Sequence, residues 1–387
     1  MEQERIYMDN AATTRTDPDV VAEMLPYFTE QYAVASSQFS HTPGIQAKEG
    51  LENAREIIAK KINAQNDEII FTAGGTESNN LAVKGTSWAH RGKKNHIICS
   101  KIEQNAILHS AAWLEKEGFK VTTIDVDGDG FVNLNQLEDS ITDETFLVSV
   151  QHANQEVGTI QPVEAVGEIC RKKGVLFHTD AQLSFTYLNL DVNAIPADLI
   201  TLSAHKIHGP KGVGALYVRK GTNIKKMMHG GYHEFDLRSG TENVVGAVGF
   251  GKAVQIATPE HVEYIRKMQS ELLSGLESSI PEVVVNGPKD LLKRLPTNAN
   301  VSFSRVEGES VVLHLDMRGV SVITGSACFS RSLEPSYVMM AMGFSHERAH
   351  GSIRFTLSRF NQMDEIGRVV DSCKDIVESL RKISPLT

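Results

Sequence analysis

Cysteine is scarce in this sequence. Cys99, Cys170, Cys328 and Cys373 are the whole set in 387 residues, and no two of them form a CxxC pair. That spacing indicates neither a zinc site nor a disulfide framework. Long apolar runs are also missing: none reaches the about eighteen residues a membrane span needs. Positive charge is in deficit, with 39 Lys and Arg against 48 Asp and Glu and a net charge of −9. Nucleic acid and anionic membrane are therefore not expected partners, because binding phosphate takes clustered cations. There is no low-complexity tract and no internal repeat. The opening MEQERIYMDN is charged and has no apolar signal core, so a cytoplasmic location is the expectation.

What remains is the composition of an ordinary globular chain, 41% hydrophobic and 22% charged, long enough for two domains or for one large domain and a satellite. From about residue 66 to 220, apolar runs alternate with stretches of helical period. EIIFT, NHIICS, KVTTIDVD, TFLVSVQH, VLFHTD, ADLITLS and GVGALYVRK read as strands. TESNNLAVKGTSWAH, NAILHSAAWLEKEG and VEAVGEICRKKG read as helices, with Gly118 ending the second. The alternation predicts an α/β domain, a mainly parallel central sheet with helices on both faces. After about residue 260 the pattern changes to a long amphipathic helix, then short strands (VVVNG, NANVSFS, SIRFTLS) and further helices. We expect a large α/β domain over residues 16–260. A smaller α+β domain is expected from 261–387 joined by 1–15.

Chemistry gathers at the strand ends, where open α/β sheets build sites. LSAHKIHGPKG puts Lys206 between two histidines at the exit of an apolar strand. FTAGGTESNN is a strand, two glycines and a helix start at Gly75 and Thr76. Backbone N–H groups there, with hydroxyls beside them, make a phosphate cradle, although Thr-Glu-Ser is also good capping chemistry. FHTDA ends a strand on Asp180, which either meets a cationic ring nitrogen or caps a loop. A phosphate cradle, a strand-end aspartate and a strand-end lysine are jointly what pyridoxal 5′-phosphate (PLP) requires. His205 and His208 have no acidic or thiol ligand flanking them, so no metal is expected. Cys99 and Cys170 lie in buried-looking runs and read as structural. Cys328 lies in TGSACFSRS, a small and polar stretch with little for a core thiol to pack against.

At this point the sequence resembles the NifS/IscS-type cysteine desulfurases, which are fold-type I PLP enzymes. The resemblance runs through YMDNAATT, FTAGGTESNN, HANQEVGTIQP, FHTDA, SAHKIHGPKG, RSGTENV, TGSACFSRSLEPSYV and SIRFTLSRFN. It implies that Lys206 holds PLP, that Asp180 meets the pyridine nitrogen, and that Gly75, Thr76, Ser203 and His205 serve the phosphate. Thr241 would reach that phosphate from the other subunit of a homodimer. Arg354 would clamp the substrate carboxylate, and Cys328, in a loop at about 324–334, would take sulfur from L-cysteine and leave alanine. The persulfide would then pass to a sulfur-acceptor or scaffold protein in iron–sulfur cluster or thio-cofactor and tRNA assembly.

Several positions depart from the family. A histidine that stacks on the cofactor and moves a proton is Gln104 here, and an amide does not titrate near neutral pH. An asparagine that helps hold the cofactor's 3′ oxygen is Gln155. A glutamine donor to the same oxygen falls at Leu183, with Gln182 one place early; along an extended segment that shift turns the amide to the opposite face, and the oxygen loses that donor unless the backbone bulges. Tyr32–Ser37 reads YAVASS and residues 230–235 read GGYHEF, with Tyr232 expected near the pocket mouth. The covalent machinery is intact, so the expectation is a desulfurase with a retuned pocket. Two other readings stay open: a PLP lyase for another sulfur or selenium amino acid that does not need Cys328, and a non-catalytic regulatory paralogue.

Overall fold

A computed structural model describes residues 5–325 and 335–383. After β1 (Ile6–Tyr7), the central strands follow in order: β2 (Ile69–Thr72), β3 (His96–Ser100), β4 (Lys120–Ile124), β5 (Thr145–Ser149), β6 (Leu176–Asp180), β7 (Leu199–Ser203) and β8 (Gly214–Val218). They form one sheet in the order β2-β8-β7-β6-β5-β3-β4. Six run the same way, and only β8 is antiparallel to both its neighbours.

Their sequences explain why both faces are covered. IIFT, HIICS, TFLVS, LITLS and GALYV are buried at every residue, and such near-continuous apolar runs suit strands with helices on both sides. Successive side chains go to opposite faces. Phe71, Ile98, Val148 and Ile200 join one core, while Ile70, Ile97, Leu147 and Leu199 join the other. β4 ends the sheet, and its KVTTI is correspondingly half-exposed.

The helical stretch after β2 is less regular than its periodicity predicts. It runs as an α-helix over Gly75–Asn80, a π-helical turn over Leu81–Gly85 and an α-helix over Thr86–His90. Hydroxyls account for the interruption: Thr86 Oγ1 donates to Ala82 O at 2.6 Å and Ser87 Oγ to Val83 O at 2.7 Å. Lys225 N–H also takes Gly85 O, at 3.0 Å.

The second unit holds β9 (Val283–Val285), β10 (Asn298–Phe303), β11 (Val320–Ser321) and β12 (Ser352–Thr356). β12-β10-β9 is antiparallel, and β1 pairs with β11 in parallel. Helices Pro259–Ser279 and Met363–Ile383 contribute Leu272, Leu276, Val369 and Ile376 to its core. Ile6 and Met8 are buried in that same core. Their position supports, as a proposal, a small domain made of residues 1–15 and 261–387. Cys99, Cys170 and Cys373 are all buried and free, and burial pushes the thiols of Cys170 and Cys373 up to about 12. Cys328 and most of the expected loop at 324–334 lie outside the described residues.

One buried ion pair ties the 229–243 segment to the sheet. Arg55, on helix Thr42–Lys61, donates NH1 and NH2 to the two carboxylate oxygens of Glu234, both at 2.7 Å. Glu234 also accepts the backbone N–H of Phe71 in β2, at 2.7 Å. Glu234, Phe235 and Asp236 all have positive φ, at 46°, 56° and 65°, a conformation bulky residues hold only when their surroundings impose it. Glu234→Ala leaves the buried Arg55 guanidinium with only the half-exposed Glu52 as a counter-charge and strips the Phe71 N–H of its acceptor. In urea denaturation it should therefore cost about 3–5 kcal/mol of stability, whereas replacing Arg55 and Glu234 together by apolar residues should cost much less.

Candidate active site

The C-terminal ends of the parallel strands set the position of the site. β6 and β7 pair with Asp180 beside Thr201, so Asp180 and the Ser203–Lys206 turn leave the sheet at the same edge. β2 ends at that edge too and feeds the helix start at Gly75. A cleft of about 820 Å³ opens there. Of the residues expected from sequence, it brings together Gly75, Thr76, Gln104, His205 and Lys206. Gln182 and Lys211 line it as well.

Gly74 has φ +147°, which favours glycine, and a Cβ on Gly75 would fall 1.7 Å from Gln182 Oε1. The two glycines thus let the chain turn sharply and leave room beside the helix start. Ser203 is buried, and its Oγ finds no partner among the described residues. His205 Nδ1 lies 3.1 Å from Thr13 Oγ1. Burial, with Lys206 and Lys211 nearby, pushes its imidazole down to about 4, so the ring is neutral at physiological pH. Lys206 Nζ donates to Ala11 O at 2.5 Å and Ala12 O at 2.9 Å, held by the N-terminal segment that crosses the cleft.

Asp180 is 4% exposed, and burial pushes its carboxyl up, opposed by hydrogen bonds from Asn79 and Gln182 and by the charge of Lys206. Asn79 lies inside FTAGGTESNN one helical turn beyond Gly75, and that spacing was the available sign that it would face the strand end. Glu103 is a second group that sequence reasoning passed over. Fully buried, it accepts Ser100 Oγ at 2.6 Å and Gln151 N–H at 2.9 Å, and burial pushes it up to about 8. It sits directly before Gln104, which caps helix Asn105–Lys116 with extended backbone.

The three departures resolve differently. Residues 181–188 do not continue as extended chain. They coil, with Phe185 N–H on Ala181 O at 2.9 Å and Leu188 N–H on Ser184 O at 2.9 Å. Neighbouring side chains in a coil do not alternate between two faces, so the expected reversal of Gln182 is corrected. Its amide reaches Asp180 and lines the cleft, while Leu183 packs with Ala153 and Leu295. Gln155 does turn aside: Nε2 donates to Tyr337 OH at 2.8 Å, and Tyr337 OH donates to Glu103 O at 2.6 Å. Gln104 stays in the cleft wall.

Arg354, on β12, does not line the cleft. NH2 donates to Asp9 Oδ1 at 2.9 Å and NH1 to Gln155 O at 3.1 Å, while Nε has no partner among the described residues. Thr241 is exposed and outside the cleft of its own chain, and Tyr232, expected near the mouth, is 89% exposed and likewise outside the cleft lining. The stem of the Cys328 loop rests on Glu156. A Cβ on Gly325 would come within 1.9 Å of Glu156 Oε1, and Ser336 hydrogen-bonds the same carboxyl.

Residues 6–369 match the family described as aminotransferase class-V. The chain belongs to that family. It is 47% identical over 385 residues to the cysteine desulfurase IscS of Clostridium botulinum (strain Hall), covering 99% of this chain and 96% of the relative. It is 46% identical over 389 residues to the cysteine desulfurase IscS of Methanosarcina thermophila, covering 100% of this chain and 95% of the relative. Among solved structures, a NifS-like protein superposes with a TM-score of 0.90 at 37% identity, covering 97% of this chain and 100% of that one. SspA in complex with cysteine gives a TM-score of 0.83 at 34% identity, covering 92% and 100%. The aminotransferase class-V architecture seen here is the fold-type I arrangement of PLP enzymes, and PLP is the cofactor that goes with it.

The residues fit that cofactor. Ser203 Oγ is a buried hydroxyl without a partner among the described residues, neutral His205 carries one N–H, and Gly75 and Thr76 present the first turn of a helix. Asp180 is a buried carboxylate suited to a cationic ring nitrogen and stands behind Gln182, which lines the cleft together with Lys206.

The Glu103 carboxyl makes a pH signature. Folded, it keeps its proton up to about 8, whereas unfolded it ionises at its ordinary 4.5. Between those values the unfolded chain binds fewer protons, so stability falls as pH rises, by up to about 1.4 kcal/mol per pH unit. Glu103→Gln should remove that slope: in urea titrations its stability relative to the parent should climb steadily across the window. Parallel curves would contradict the assignment.

Proposed function

We propose that this chain is a PLP-dependent cysteine desulfurase that removes sulfur from L-cysteine, releases alanine and carries the sulfur on Cys328. The observation that supports it most is the meeting of Lys206, His205, Gly75 and Thr76 in one cleft, in a chain matching cysteine desulfurases from end to end. PLP bound there supplies an electron sink for the substrate's α-carbon. The protein's own residues do the rest.

Lys206 anchors the cofactor and then serves as the base at the substrate Cα–H. Gln104 has no proton to exchange, and Lys206 is the titrating amine of the cleft at the strand exit. Arg354 takes the substrate carboxylate. Nε–H and the second hydrogens of NH1 and NH2 remain for it, and Asp9 with the Gln155 carbonyl holds the guanidinium in place. The Cys328 thiolate attacks the substrate sulfur. An S–S bond forms, the C–S bond breaks, and its electron pair stays on the substrate carbon, which is protonated to alanine. Protein thiol and cysteine thus become protein persulfide and alanine, with atoms and electrons balanced. Glu156 and the Gln155–Tyr337 bond tie the stem of the Cys328 loop to the Arg354 side of the site.

The working unit is a homodimer in which Thr241 reaches the partner's phosphate site. Exposed Phe28, Tyr32 and Phe39, at 60%, 73% and 92%, support an apolar surface for a second copy. The persulfide goes to a sulfur-acceptor or scaffold protein. A cytoplasmic location agrees with three free, buried thiols, and no helix among the described residues is long and apolar enough to cross a membrane.

The test is alanine released from L-cysteine by the PLP-loaded protein, beside Cys328→Ala and Lys206→Ala. The parent should release alanine, and each variant should fall by at least about a hundredfold. Equal release by the parent and Cys328→Ala would show that sulfur leaves without Cys328 and would contradict the persulfide step. No release from any of the three would leave the lyase for another amino acid and the regulatory reading.

A further inference from the structure

The turn after β6 places a side chain between the cleft and Asp180. Gln182 Nε2 donates to Asp180 Oδ2 at 2.8 Å, and Asn79 Nδ2 donates to the same oxygen at 2.8 Å. The backbone N–H of Gln182 donates to Oδ1 at 3.0 Å. Both carboxylate oxygens are therefore engaged. Gln182 lines the cleft, whereas Asp180 and Asn79 do not. The amide oxygen of Gln182 lies against Gly75, within 1.7 Å of where a Cβ on that residue would stand. The side chain is wedged between helix start and strand end, and its amide covers the carboxylate on the cleft side.

We infer that Gln182 is a positioning residue that gates cofactor loading: its amide holds Asp180 and must leave Oδ2 before the ring nitrogen can reach the carboxylate. The inference rests on the PLP reading of this cleft. Its physical basis is the cost of a buried carboxylate. Asp180 is all but inaccessible to water, so each missing donor weighs heavily, and the Gln182 amide supplies one from two residues along the chain. An incoming ring nitrogen thus competes with an intramolecular donor held in place, not with loosely bound water. Once the amide swings away, the protonated nitrogen makes the stronger, charge-assisted bond. Asn79 plays no such part. It reaches Oδ2 from the helix, outside the cleft lining, and need not move. A shorter side chain at 182 could not span to Oδ2, so the gate depends on the length of glutamine.

The experiment strips the full-length protein of cofactor and mixes it with PLP in a stopped-flow instrument. The visible absorbance of lysine-bound PLP gives the association rate and dissociation constant. Parent, Gln182→Ala and Gln182→Ser are compared; the serine variant keeps a small polar group should alanine at this buried position impair folding, which circular dichroism checks. With the tether removed, loading should be about tenfold faster and the dissociation constant lower. The thermal shift on adding PLP should also be larger than in the parent. A merely structural glutamine would lower the melting temperature without accelerating loading. Equal or slower loading by the folded variants overturns the gate and leaves the cofactor reading standing. No absorbance change in any folded protein at saturating PLP overturns the cofactor reading, and the gate with it.

Discussion

A carboxylate buried at the end of a parallel strand keeps its charge only if donors come to it, and much of the site is arranged around meeting that demand for Asp180. Parallel pairing of β6 with β7 fixes where the carboxylate stands relative to Ser203 and Lys206. Helix Gly75–Asn80 brings Asn79 onto it, and the same helix start offers Gly75 and Thr76 to the cleft. The coil after Ala181 brings Gln182. Lys206 adds a favourable charge that counters part of the burial penalty. Moving the helix or the coil would leave the carboxylate short of a donor, and moving Lys206 would remove its charge, so the phosphate end, the nitrogen end and the lysine are mechanically linked.

Much of this was legible in the sequence because it follows from local rules. Apolar runs such as LITLS and TFLVS are long enough and β-branched enough to be buried strands, and they are. Gly174 ends its helix in the left-handed conformation, as a glycine after a basic last turn should. Lys206, Asp180 and Thr76 were marked by their positions at strand exits, and a parallel sheet collects such exits on one edge. The family's own patterns supplied the rest of the expected set.

What was not legible depends on direction or on distance along the chain. The direction of Gln182 is not legible because an extended exit from a strand is the local default, and backbone bonds to Ala181 O instead wind these residues into a turn. Gln155 meets Tyr337 across 182 residues and Arg55 meets Glu234 across 179, separations that no periodicity can reveal. The π-helical turn arises from Thr86 and Ser87 hydroxyls folding back onto carbonyls, although their spacing alone fits an ordinary helix. Nothing local marks Glu103, and only burial makes it a group that holds its proton to about 8.

The central claim is that this cleft binds PLP through Lys206. It is tested most directly by reducing the PLP-treated protein with borohydride, digesting it and locating the pyridoxyl mass by peptide mapping. The account predicts the label on the peptide carrying Lys206 and its absence after Lys206→Ala. Label on Lys211, which lines the same cleft, or no label at all, would contradict it.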